Sequence, residues 1–274
     1  MKNPSHSHNP DNLWNSDRQH TPDIRLPEFF PTILAVVLVL SAVLTGCAGK
    51  EPDALKTPDT LRWFYASYAI LTELNGNDYT EFGGMPINDY TRKLQIAALE
   101  SQWGVSDRES ADSTLAWALE EGHRTEFVNS GKYLAEDIEM DKLDEEDYLP
   151  YLLYISDLSE EEAVQLVNLY IMYKEYGEHA IDAWDYCRAL NLLSFYYVAG
   201  YYTKEEALDK SLEIAGRLQP MYSSWDELVE SYLRGYEYWA EESSAKRRAV
   251  YEDLKTREDN PFSVDYHTVL EKAW

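Results

Sequence analysis

The chain has 274 residues, 50 of them Asp or Glu against 24 Lys or Arg, for a formal net charge of −26 at pH 7. A surface of that sign repels nucleic acid and anionic lipid headgroups, so no nucleic-acid partner is expected and no basic patch is available to hold the protein on a membrane. Carboxylates suit hard cations, but the glycine-containing acidic loop of an EF-hand is missing from the sequence.

The N-terminus reads as an address. Residues 1–32 are polar and nearly charge-balanced, with Lys2, Arg18 and Arg25 against Asp11, Asp17, Asp23 and Glu28. An apolar run follows from Ile33 to Leu44, broken only by Ser41. That is shorter than the roughly 20 residues a spanning helix needs, and it suits the core of a signal peptide. Leu44–Thr45–Gly46–Cys47 closes it and resembles the bacterial lipobox. The resemblance implies cleavage before Cys47 and a lipidated Cys47 thiol. Two acyl chains anchor a protein stably where one is marginal. The long, nearly charge-balanced leading segment departs from the usual short basic one. A retained N-terminal helix over Phe29–Gly46 therefore stays open as the alternative anchor. The expected organisation is a signal peptide over residues 1–46, the lipidated Cys47 and a tether over 47–57, and one helical domain over 58–274. The domain is expected on the extracytoplasmic side of the cell envelope. Removing residues 1–46 takes away three basic and four acidic residues, which leaves −25 over the remaining 228.

From residue 57 onward helix start and stop signals are legible. Thr57 with Pro58 predicts a helix running to Asn75. Pro86 predicts the start of a second, ended by Gly104. Ser106 with Glu109 reads as a capping box whose helix stops at Gly122. The apolar stretch Tyr148–Ile155 is bracketed by Pro150 and helix signals. Ser159 with Glu162 is a second box, with Gly177 as its stop. A helix over residues 180–199 stops at Gly200. Thr203 with Glu206 is a third box, followed by Pro220. Ser223 or Ser224 caps the last long helix, which runs through Trp239 and on toward Lys255. Ala163, Leu166, Val167 and Tyr170 recur at helical spacing, as do Trp225, Leu228, Val229, Tyr232, Tyr236 and Trp239. Sustained strand-like alternation is absent. The fold class is all-α, a single-domain bundle of about eight helices.

The helix over residues 180–199 is the expected centre. Ile181, Trp184, Leu192, Phe195 and Ala199 share one side, and Leu190, Leu193, Tyr197 and Val198 the other. A helix apolar all round is a buried one. Arg188 lies in the middle of the first face. An unpaired buried guanidinium is costly, so Arg188 is expected to pair with a carboxylate, Asp185 at i−3 being nearest.

Several of these residues also carry a family resemblance. Trp103–Gly104–Val105, Gly122–His123–Arg124 with Phe127, and Trp184–Asp185 with Arg188 come first. Gly200–Tyr201, Thr203, Glu205 and Glu206 follow, then Ser223–Ser224–Trp225, Ser231–Tyr232, Gly235 and Trp239. Together they resemble the bacterial domain of unknown function 1266 family, over most of the chain after about residue 90. The resemblance implies a fold and no activity.

His123, Arg124, Asp185 and Arg188 form the best polar constellation. One reading is a pocket in which Arg binds an anion and the Asp–His pair moves a proton. The other is a buried network that fixes helix register. Glu178, His179, Asp182 and Asp185 invite a metal reading, but acids also belong at a helix start, and no metal site is expected. Ser223–Ser224 sits where an N-cap belongs and lacks the turn of a nucleophile elbow. No glycine-rich phosphate loop, zinc-type cysteine pair or H-E-x-x-H motif occurs, so no cofactor is expected. Cys187, unpaired once Cys47 is lipidated, reads as a small buried hydrophobe. The balance favours a membrane-anchored module that contacts an envelope protein or peptide, with an enzyme using Asp185, His123, Arg124 and Arg188 as the alternative.

Overall fold

Capping chemistry and apolar stripes build an all-helical bundle. The computed structural model describes residues 57–274. The expected signal peptide, the expected lipidation site Cys47 and nearly all of the expected tether lie outside the described residues. Among the described residues eleven α-helices run in chain order: α1 Asp59–Ser67, α2 Ala69–Leu74, α3 Asp89–Trp103, α4 Arg108–Glu120, α5 Gly122–Lys132, α6 Tyr148–Ile155, α7 Glu160–Tyr176, α8 Asp182–Ala199, α9 Lys204–Leu218, α10 Trp225–Ala240 and α11 Ala245–Thr256. Among the described residues no strand is formed, and no helix is long and apolar enough to cross a membrane.

The Ser159–Glu162 and Thr203–Glu206 boxes both form. Ser224, not Ser223, caps α10 by accepting from Glu227 N. Three starts differ from expectation. Thr57 does not cap α1, whose N-cap position is Pro58 without a side-chain bond. Asn88, two residues beyond Pro86, caps α3 in a box with Thr91. Asp107 with Ser110 replaces Ser106 with Glu109 at α4. At the third site cap-competent residues stand side by side, Ser106 next to Asp107. The first predicted helix breaks at Tyr68, whose φ of −122° and ψ of 15° leave the helical region. The last breaks at Glu241, which takes a left-handed φ of 57° and turns the chain into α11. These breaks, with the extra helix after Gly122, account for segments beyond the eight expected.

α8 is the centre, as its apolar circumference requires. Every residue of it except Phe195 and Tyr197 is buried. It packs against α10, α9, α3 and α4. Its crossing with α10 is close because residue 235 is Gly: a Cβ there would lie 2.1 Å from Trp184 Cβ. Gly200 ends α8 at φ 81°, a left-handed cap. A smaller apolar cluster, with Phe127, Met140, Tyr148 and Tyr170 at its heart, joins α5, α6 and α7. The C-terminal segment is pinned by two indoles: Trp63 Nε1 donates to Tyr266 O and Trp225 Nε1 to Val264 O, each at 2.9 Å.

Candidate functional site

The predicted polar residues do meet, at the corner between α4 and α5 where α8 passes beneath. Gly122 makes the corner with φ 60°, and a Cβ there would stand 2.1 Å from Asp185 Oδ2. The first N–H groups of a helix need acceptors from outside it. The preceding residue, Glu121, supplies no cap to α5. Asp185 supplies one from a different helix. Its Oδ1 accepts from His123 N at 3.1 Å and its Oδ2 from Arg124 N at 3.0 Å. His123 Nδ1 lies 3.1 Å from Oδ1 and Arg124 Nη1 3.1 Å from Oδ2. Four donors thus converge on a carboxylate whose side chain is 1 % exposed. Burial alone would push the Asp185 carboxyl up. The bond from His123, its charge and the two backbone N–H groups outweigh burial and hold it below the usual carboxylate range.

Arg124 extends the clamp backward. Its guanidinium also donates to Ala118 O at 2.7 Å and to Leu119 O, carbonyls in the last turn of α4. One side chain therefore closes the C-terminal end of α4, while the carboxylate it pairs with closes the N-terminal end of α5. Three helices are locked through a single Asp–Arg contact.

Arg188 is buried as expected, but it does not pair with Asp185. Among the described residues no carboxylate lies within ion-pair distance of it. The oxygens of Asp185 are committed to α5, and the Arg188 guanidinium packs instead among indoles. Its carbon lies 4.3 Å from the centre of Trp103, 4.6 Å from Trp184 and 5.4 Å from Trp239. Ring quadrupoles attract a cation at such distances. Nη1 approaches His123 Nδ1 to 3.4 Å, but an Nδ1–H that donates to Asp185 offers it no acceptor. Burial pushes the Arg188 guanidinium down to about 10, opposed by the charge of Asp185.

His123 packs edge-on against Trp117, ring centres 5.1 Å apart. Burial lowers its pKa, the bond to Asp185 raises it, and the charge of Arg188 lowers it further; the net shift is downward from 6.5. The unfolded imidazole binds a proton near pH 6.5 and the folded one only at lower pH, so stability falls as pH drops below about 6.5 and levels off below the folded value. We expect the denaturation midpoint of the wild type to decline between pH 7 and 5 more steeply than that of His123→Gln. Parallel curves would show that His123 carries no such linkage. The Asp185 contribution, with its lowered pKa, is lost only at more acidic pH, below the ordinary value of 3.8.

The other candidates do not converge. His179 Nδ1 bonds Asp182 Oδ2 at 2.7 Å with the His side chain 86 % exposed, while Glu178 turns to Lys132 Nζ at 2.8 Å. Among the described residues no group of three or more His, Cys, Asp or Glu side chains is placed to hold a metal. Cys187 is buried and free, and burial raises its thiol pKa far above the ordinary value. His267 is exposed, with only its backbone N–H bonded, to Asp265. Sequence reasoning missed the indole cage and Arg247. In Lys246–Arg247–Arg248 the basic run suggests a solvated face, yet Arg247, Tyr251 and Leu254 recur at helical spacing and are all buried.

The geometry defines an all-helical domain whose polar cluster is wrapped inside helix ends rather than open to a cleft. The chain belongs to the family described as Protein of unknown function (DUF1266), whose model matches residues 98–268. No curated protein matches the chain, and no solved structure does.

Proposed function

We propose that the protein is a membrane-anchored contact module of the cell envelope, which works by binding a partner rather than by catalysis. The observation that carries this reading is the commitment of Asp185: both oxygens and all four of its donors are used to hold α4, α5 and α8 together. The side chains of His123 and Arg124 are 17 % and 14 % exposed, which suits a packed corner better than a substrate cleft. The acidic surface favours a partner with a basic face, and electrostatic steering of that kind weakens with salt. Anchoring rests on the Leu44–Thr45–Gly46–Cys47 sequence and the apolar run before it.

One observation favours the enzyme reading. His123 Nδ1 faces the carboxylate and leaves Nε2 without a hydrogen-bond partner among the described residues, the arrangement of an oriented general base.

Anchoring is tested by metabolic labelling. Labelled fatty acid is expected in the wild type and not in Cys47→Ser; equal labelling of both would remove the lipid anchor from the reading. Binding is tested by capture of the native protein with its neighbours from its own envelope. A specific partner should be retained at low salt and released at high salt, and an unrelated acidic protein should not retain it.

A further inference from the structure

We propose that α8, α10 and α11 bind a small oxyanion beside Trp184, at Arg188 and Arg247, an inference independent of the envelope reading. In a chain with twice as many acids as bases, buried arginines should find carboxylates most easily. The reverse holds here. Arg188 and Arg247 are only 7 % and 9 % exposed, and neither has a carboxylate within ion-pair distance among the described residues. The far more exposed Arg108, Arg248 and Arg257 all have one. Breaking a buried ion pair is costly because it leaves one charge uncompensated, so two such groups around one indole call for a compensating charge.

The two guanidinium groups share one aromatic platform. The Arg188 carbon is 4.6 Å and the Arg247 carbon 6.0 Å from the centre of Trp184. Arg247 also lies 3.9 Å over Tyr236 and donates from Nη1 to Tyr232 Oη at 3.1 Å. Two donors at this place are buried with no partner: Arg247 Nε and Trp184 Nε1. Buried polar groups are nearly always satisfied, so each unsatisfied one needs an explanation. All the unmet groups are donors, and two belong to or adjoin cations. Their chemical complement is an acceptor-only group with negative charge, the description of a carboxylate or a phosphate. The charge of Arg247 also acts on Arg188, so an anion beside them relieves a repulsion as well. Trp239 and Tyr236 are half-buried and give the site an edge open to solvent.

The test is a titration of the full chain with sodium phosphate, and separately with sodium acetate, each against sodium chloride at matched ionic strength. Tryptophan fluorescence reports the site through Trp184 and Trp239, and the thermal midpoint reports linked stability. A saturable response to phosphate alone assigns a phosphate-type ligand, to acetate alone a carboxylate, and to both a general oxyanion site. Arg247→Gln should weaken that response at least tenfold, whereas Arg248→Gln, which removes an exposed arginine, should leave it unchanged. Trp184→Phe keeps an aromatic ring, deletes the indole N–H and, read by the thermal midpoint because the variant lacks a reporting indole, should weaken the response several-fold even if Arg247→Gln fails to fold. A response to neither salt beyond that of chloride overturns the proposal, as does an unchanged response in Trp184→Phe or in folded Arg247→Gln.

Discussion

Asp185→Asn is expected to lower the unfolding free energy by about 3–5 kcal/mol, the range found when one partner of a buried ion pair is removed. The substitution keeps the shape of the side chain and changes only its bonding. One oxygen can still accept from α5, but the new NH2 group meets donors on its own side. Either His123 N and Nδ1 or Arg124 N and Nη1 lose their acceptor. Each backbone donor stranded in a buried site adds a desolvation cost of about 1–3 kcal/mol. Arg124 retains Ala118 O and Leu119 O, so the α4 end of the clamp survives while the α5 end opens. Chemical denaturation at neutral pH measures the loss. A midpoint equal to that of the wild type would mean that Asp185 does not cap α5.

Gly235→Ala is expected to destabilise by at least about 1–3 kcal/mol, the usual cost of forcing extra carbon into a packed core. The added Cβ would lie 2.1 Å from Trp184 Cβ and 2.7 Å from its Cγ, and it cannot be accommodated by rotating a distant side chain. α8 and α10 must separate, and the indole that supports Arg188 moves with them. Gly216→Ala supplies the contrast on α9. Nothing lies within 4 Å of its added Cβ, and Gly in a helix interior is less favourable than Ala by roughly 0.5–1 kcal/mol. Thermal melts should therefore shift down for Gly235→Ala and slightly up for Gly216→Ala. A downward shift of similar size in both would point to a general effect of helix glycines and not to the α8–α10 crossing.

Much of the fold is legible in the sequence because its signals are local. Ser159–Glu162 and Thr203–Glu206 each complete a box within four residues, and no neighbouring residue competes for either cap. The central position of α8 is legible because its apolar residues cover both sides of the helix. What is hidden depends on contacts between distant residues. Gly122 reads as a stop, and its φ of 60° does end α4, but the same residue begins α5 because Asp185 waits 63 positions along the chain to cap it. The Arg188–Asp185 pairing fails for the same reason. Spacing of three residues places both on adjoining parts of one helix, yet spacing alone is silent on the four donors of His123 and Arg124, at the start of α5, that claim the carboxylate first. Arg247 is hidden by its basic neighbours Lys246 and Arg248, although its spacing to Tyr251 and Leu254 marks the buried face.

We infer that the His123–Arg124–Asp185 cluster holds helices together rather than performing chemistry. His123→Gln tests it most directly, because Gln keeps size and hydrogen-bonding capacity while removing the imidazole that proton transfer needs. Thermal melts of the purified variant are run beside complementation of a deletion strain. With a structural cluster, stability and phenotype should fall together, the phenotype tracking the loss of folded protein. A His123→Gln protein that melts with the wild type and fails to complement would contradict it and establish the acid–base reading instead.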